Sequence, residues 1–314
     1  MSTAAVLELN LAQQDVIDQL GSNPDDRPEF DRDLRLHLKQ ELSERLQPVV
    51  GELPDGQDLN LSKHLLSQVH GCEVRFLAQD DAPFEVTVPI ARGSVVHKAV
   101  ELSIHWPTEP DPLDLVDEAL DRLTRSDHWL ADWLQTCSDA DRAELRGESN
   151  ALVVKFLECW PRLKPGWRPA TEQSYRVDLC DDRVHLRGKV DLALGRTVGQ
   201  RAGKVIVDFK SGGFNRTHYD DLRFYALIDT LRLGAPPRRL ASYYVDSATM
   251  RAEDVTAGVL EAAVARTVDG AATAVALRQG RREPVARPSF ACRWCSELAN
   301  CPVGTEFLVE VDGV

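Results

Sequence analysis

The sequence predicts an α/β or α+β domain, with a short run of strands held inside a helical surround. Three observations carry this. Apolar, β-branched stretches gather in mid-chain, at residues 173–179, 184–194 and 205–210. A helical pattern (219–233), a strand (240–245) and an Ala/Val-rich helix (255–277) follow them in alternation. Before residue 173 helical periodicity dominates, interrupted by a strand-like stretch at 84–90.

Taken in order, residues 6–50 read as helical, with Leu34, Leu38, Leu42 and Leu46 recurring at intervals of four. The Pro-, Gly- and Asp-rich stretch 52–60 reads as a linker, which divides the chain into a helical N-terminal extension (1–58) and a main domain (59–314). Residues 61–70 form a helical pattern leading to Cys72, and Gly93 opens a helix carrying His97, Val100 and Leu102. Residues 113–134, with Leu115, Ala119, Leu120 and Leu123 on one side, give another amphipathic helix, and 150–160 a further one. Gly195, Gly199 and Gly203 mark the turn between the second and third strands, and an Arg- and Pro-containing loop spans 279–289.

At 314 residues the chain can bury a sizeable core, and its 43% hydrophobic and 28% charged residues are those of a globular protein. No apolar run approaches the roughly 20 residues of a membrane span, and no basic-then-apolar leader opens the chain, so the expectation is a cytoplasmic protein without membrane contact. The net charge of −13 argues against a surface that coats nucleic acid, but leaves room for one basic groove.

Val205-Ile206-Val207-Asp208-Phe209-Lys210-Ser211-Gly212 is the most informative segment. Alternate side chains of a strand share a face, so Asp208 and Lys210 point one way and Phe209 the other. A carboxylate beside an ammonium, with Asp191 close upstream in Gly188-Lys189-Val190-Asp191, suits metal-assisted phosphodiester cleavage; it also suits a plain salt bridge. Near the C-terminus, Cys292-Arg293-Trp294-Cys295 and then Cys301 before Pro302 supply three converging thiolates, as a zinc or iron–sulfur site requires. Three ligands are not four, and Cys72 is the best-placed fourth. Cys137, Cys159 and Cys180 stand singly inside regular patterns and read as buried inert thiols. His97 alone reads as structural or as a ligand. Tyr225 reads as a core residue or as a hydrogen-bond donor to phosphate. Arg278, Arg281, Arg282, Arg287 and Arg293 read as a phosphate track or as a solvated loop.

In order and spacing, these segments resemble the iron–sulfur branch of the RecB-type PD-(D/E)XK nucleases, which includes the AddB nuclease domain and the nuclease of CRISPR adaptation. Leu61-Ser62-Lys63-His64-Leu65-Leu66 with Gly71-Cys72-Glu73-Val74-Arg75-Phe76 is similar to the family's entry motif. Gly93-Ser94-Val95-Val96-His97 is similar to its histidine helix, Gly188–Asp191 to its first aspartate segment, and Asp208–Gly212 to its Asp-x-Lys signature. Asp221 to Tyr225 stands where the family has a glutamine and then a tyrosine, so Asp221 or Arg223 departs from the pattern.

The resemblance implies a restriction-endonuclease-like mixed β-sheet core, flanked by helices and joined across its termini by a cluster whose module is split between residues 61–80 and 288–304. It implies His97, Asp191 and Asp208 as ligands of Mg²⁺ or Mn²⁺, and Asp191, Asp208, Lys210 and Tyr225 as catalytic residues. It implies Cys72, Cys292, Cys295 and Cys301 as holders of a [4Fe–4S] cluster, with structural Zn²⁺ as the alternative, and DNA near Arg278, Arg281, Arg282 and Arg287. The expected function is a metal-dependent DNase, acting as an exonuclease on single-stranded DNA or DNA ends in repair, recombination or phage/CRISPR defence. A helicase or an adaptation complex is the expected partner. A non-catalytic iron–sulfur DNA-binding subunit is the rival.

Overall fold

The computed structural model of the protein describes residues 9–81, 85–126 and 129–313. Two helices come first, α1 (Leu11–Leu20) and α2 (Leu34–Gly51). A three-residue strand β1 (Leu59–Leu61) then leads into α3 (Lys63–Gly71) and α4 (Glu73–Asp81). A helical group follows: α5 (Val88–His105), α6 (Pro112–Thr124), α7 (Ala131–Thr136) and α8 (Asp139–Cys159). Strands β2 (Ala170–Leu179), β3 (Val184–Leu194) and β4 (Val205–Lys210) precede α9 (Thr217–Leu233). The hairpin of β5 (Arg239–Tyr244) and β6 (Thr249–Asp254), then α10 (Ala257–Arg278) and α11 (Pro302–Asp312), complete the chain.

The six strands make one mixed sheet, with β3 paired to β2 along nearly its whole length. The other edge of β3 is shared. Its start (Val184–Leu186) pairs in parallel with β1, and its end (Leu192–Leu194) pairs antiparallel with β4. Arg187 to Asp191 therefore face a gap between β1 and β4. Beyond it β4 pairs in parallel with β5, and β5 antiparallel with β6.

Helices cover both faces. One face buries Leu186, Val190 and Ile206 with Leu38, Leu42 and Leu46 of α2, together with α9 and α10. The other buries Val207 and Phe209 under α1, α5 and α8, where Phe156, Trp160, Phe209 and Tyr243 meet largely edge-to-face at 4.8–6.2 Å between centroids. The alternation along β4 is the one expected from strand geometry. A third core joins α5 to α6, α7 and α8. Among the described residues no helix is long and apolar enough to cross a membrane.

Several expectations are corrected. Residues 84–90 are not a strand: Val88–Ile90 form the first turn of α5, where Pro89 is favoured, and Phe84 lies outside the described residues. Gly93 lies inside that helix rather than opening it. The 113–134 helix is two helices, α6 and α7. Strand β6 escapes a sequence reading because its only apolar residues are Met250 and Ala252, too few to stand out in a polar edge strand, and β1 because three residues carry no period. Cys137, Cys159 and Cys180 are only partly buried.

Residues 282–287, after α10, converge on one side chain. Glu73, 1% exposed, accepts hydrogen bonds from Arg282 Nη2 (2.5 Å), Val285 N (2.9 Å) and Arg287 Nη2 (3.1 Å). Burial works against its charge, but the Val285 amide and the two arginines hold its carboxyl below the usual carboxylate range. Replacing Glu73 by Ala removes three acceptor contacts and should cost about 2 kcal/mol in urea unfolding. A loss under a few tenths would show that the 282–287 segment holds its place without Glu73.

Candidate active site

The gap in the β3 edge gathers the site. Asp191 in β3 accepts the Phe209 N–H through Oδ2 at 2.8 Å, a side-chain substitute for the ladder bond that β3 no longer offers β4. The same oxygen lies 3.4 Å from His97 Nδ1 on α5. Asp208, one residue before Phe209, is 1% exposed. Its Oδ1 accepts from Lys63 Nζ at 3.0 Å, and its Oδ2 lies 2.7 Å from Lys210 Nζ without hydrogen-bond geometry.

Burial would push the Asp208 carboxyl up, but Lys63 and Lys210 more than offset it and hold it well below the usual range. Burial likewise opposes the Lys63 charge, and Asp208 overrides it, so that ammonium is held well above its ordinary value. For His97, burial is again outweighed, here by Asp191, and the imidazole pKa is raised.

Helix α9 contributes a third side. His218, Asp221 and Tyr225 recur at i, i+3 and i+7 and share one face. Asp221 Oδ2 lies 3.6 Å from Lys210 Nζ, and burial raises its carboxyl pKa despite that lysine. Arg223 turns away to Glu253 on β6 (2.5 and 2.8 Å) and to Asp220 (3.4 Å), so the departure at this helix puts Asp221, not Arg223, into the site. Tyr225 carries Lys63 over its ring at 4.9 Å, and burial pushes its hydroxyl up to about 12.

Two glycines make the convergence possible. A Cβ on Gly188 would stand 2.6 Å from Tyr225 Cε1, so only glycine lets the ring lie against β3. A Cβ on Gly93, one turn before His97, would stand 3.3 Å from Ser211 Oγ, so α5 approaches the end of β4 closely there. Glycine inside a helix costs about 1 kcal/mol, which the approach of His97 to Asp191 explains.

His97, Asp191, Asp208, Lys210 and Tyr225 thus come together as the sequence led one to expect. Lys63, within the entry-motif segment, and Asp221 join them, and neither is assigned a role by the sequence. A lysine at the first position of a helix, where the macrodipole disfavours a cation, was the available signal for Lys63. His70, His105 and His185 stay outside the site; His70, for example, meets the Arg266 carbonyl (3.0 Å) and His185 meets Asp178 (2.6 Å), whereas His64 borders it and feels the charges of Asp221 and Lys63.

The four cysteines of the split module, Cys72, Cys292, Cys295 and Cys301, line one cavity of about 440 Å³. Backbone amides of Arg287 (3.5 Å), Ser289 (3.4 Å) and Gly304 (3.4 Å) donate to the sulfurs of Cys72, Cys292 and Cys301. Among the described residues, no three His, Cys, Asp or Glu side chains are grouped as a ready-made metal site. The arginines of the proposed phosphate track are engaged. Arg281 pairs with Glu52 (2.6 Å), Arg282 and Arg287 with Glu73, Arg293 with Asp312, and Arg278 lies over the Phe76 ring (5.1 Å).

The model of the PD-(D/E)XK nuclease superfamily matches residues 60–302, which hold every residue of this site. The chain belongs to that superfamily. Its members are hydrolytic nucleases, and carboxylates paired with a lysine at a strand end are what such hydrolysis uses. No curated protein matches the chain. Among solved structures, a candidate exonuclease from Eubacterium rectale is similar at 12% identity and TM-score 0.43, over 80% of this chain and 88% of that one. The structure of SSO0001 is similar at 11% identity and TM-score 0.31, over 77% and 96%.

Two outcomes test the geometry of this superfamily site. Gly188→Ala should displace Tyr225 and lower nuclease activity by about tenfold or more while the protein stays folded by circular dichroism; unchanged activity would show that the ring position is not critical. His218, 3.0 Å from the Tyr244 hydroxyl, is pushed down to about 4 by burial and by Lys210. With an ordinary value of 6.5 in the unfolded chain, it binds its proton more readily unfolded. Its contribution to stability is therefore whole above pH 6.5 and is lost as pH falls towards 4. His218→Asn should flatten the loss of stability between pH 7 and pH 5 measured by urea unfolding.

Proposed function

We propose that the protein is a metal-dependent deoxyribonuclease of the RecB-type, iron–sulfur branch of its superfamily, cutting single-stranded DNA or DNA ends as an exonuclease. The observation that carries this is the convergence on buried Asp208 of Lys63 (3.0 Å) and Lys210 (2.7 Å), with Asp191 and His97 3.4 Å apart beside it. The two lysines offset the burial of that carboxylate. Asp208, Asp191 and His97 form an oxygen- and imidazole-rich set that suits Mg²⁺ or Mn²⁺ and would hold the ion. When bound, the ion supplies Lewis acidity and lowers the pKa of water. Lys210 and Lys63 then have their charge free for the phosphate, Lys210 nearest the strand end and Lys63 fixed by Tyr225. Asp221 restrains Lys210 from the far side.

A single-stranded substrate is supported by the loop that follows Lys210. Phe214 is 53% exposed, packs edge-on against Tyr219 and Tyr244, and has Arg251 beyond its ring at 5.8 Å. An exposed aromatic beside guanidinium groups is a platform on which an unpaired base stacks. Cys72, Cys292, Cys295 and Cys301, with amides donating to three of their sulfurs, would hold the [4Fe–4S] cluster. Its place is structural, closing the chain from α4 to α11. Service in DNA repair, recombination or antiviral defence beside a helicase or adaptation complex, in the cytoplasm, belongs to the same reading.

Anaerobically purified protein should cleave end-labelled single-stranded DNA with Mn²⁺ or Mg²⁺, releasing short products from an end. Asp208→Asn and Lys210→Met should each lower the rate by about 10² or more. The preparation should be brown and contain iron; a colourless, zinc-loaded one would replace the cluster by zinc. Absence of cleavage with every divalent metal would overturn the enzyme and favour a DNA-binding subunit.

A further inference from the structure

At the other end of the β3–β4 pair, five strand residues or about 16 Å from Lys210, a second cavity of about 480 Å³ opens. It lies between α1, the segment around Trp167 and the β3–β4 connection. Four arginines line it: Arg27, Arg168, Arg196 and Arg238. Many arginines of this acidic chain find carboxylates, as Arg146 does with Asp117 and Arg239 with Asp254. Among the described residues none of these four forms an ion pair. Arg238 is 7% exposed, and its guanidinium donates to the Leu20 carbonyl while its Nε has no acceptor.

We propose that this cavity binds a small phosphate monoester with a flat apolar body, the size of a mononucleotide. Guanidinium groups gathered without carboxylates repel one another, and a dianion is the ligand that relieves this. Burial, then the charges of Arg239 and Arg27, push Arg238 down to about 10, and Asp254 offsets them only in part. The remaining wall is apolar, with Ile17, Leu163, Trp167 and Leu194, and its volume falls in the range of small-molecule sites. Trp167 offers an aromatic surface with Lys164 5.7 Å from its ring, which suits a planar base. The inference does not rest on the nuclease reading, because no residue of the Asp208 cluster takes part.

The test is calorimetric titration of the full chain, without added divalent metal, with dAMP, deoxyadenosine and inorganic phosphate. The dAMP should bind, with deoxyadenosine and phosphate each about tenfold weaker or worse, since each lacks one half of the recognition. The Arg168→Gln/Arg196→Gln double variant, altered at two exposed side chains, should weaken dAMP by about a hundredfold. Asp208→Asn should leave dAMP binding as it is, which separates this cavity from the catalytic end. The proposal is overturned if dAMP does not bind, if the double variant binds it equally well, if phosphate alone binds as tightly, or if Asp208→Asn abolishes binding.

Discussion

The rest of the site follows from the burial of Asp208. A carboxylate almost wholly removed from water is tolerated only where positive charge surrounds it, and here two lysines from different parts of the chain do so. Lys210 comes from the same strand two residues on, while Lys63 comes from a helix nearly 150 positions earlier. To deliver Lys63, strand β1 must end beside β3, and this short pairing at Leu59–Leu61 is what opens the gap beside Arg187 to Asp191. Asp191 can then spend its side chain on the Phe209 amide. One electrostatic demand thus sets the strand order, the gap and the position of the first aspartate.

The opposite face of β4 keeps this arrangement rigid. Phe209 points away from Asp208 into Phe156, Trp160 and Tyr243, an aromatic cluster that α8 and β5 share. Such rings lose little conformational entropy for the area they bury, so the strand carrying Asp208 and Lys210 is held from behind while the polar side remains open to chemistry. Close packing on the polar side depends on glycine. A Cβ on Gly188 would push the Tyr225 ring out, and one on Gly93 would crowd the Ser211 hydroxyl.

The C-terminal segment shows how charge can mislead when read in sequence alone. A run of arginines in an acidic chain looked like a phosphate track, yet Glu73 and Glu52 take most of it and turn it into a brace. That brace runs directly beside Cys72 and leads into the short turns before α11 that carry the other three cysteines. Four arginines without an ion pair among the described residues instead gather around the cavity beside Trp167, and they are scattered over more than 200 residues of sequence.

The sequence by itself determined the strand that carries Asp208 and Lys210, because alternation along an extended chain assigns faces without reference to anything else. It also determined the order of the motifs around Asp191, Asp208 and Lys210, and so the superfamily. Helices such as α9 and α10 were legible from periodicity, whereas β1 and β6 were too short or too polar to show any. Only the tertiary structure decided that Lys63 stands against Asp208, that Asp221 rather than Arg223 enters the site, and that the loop arginines are paired. The physical reason is common to all three: an ion pair is set by distance in space, and residues 145 positions apart, as Lys63 and Asp208 are, leave no periodic trace of their meeting.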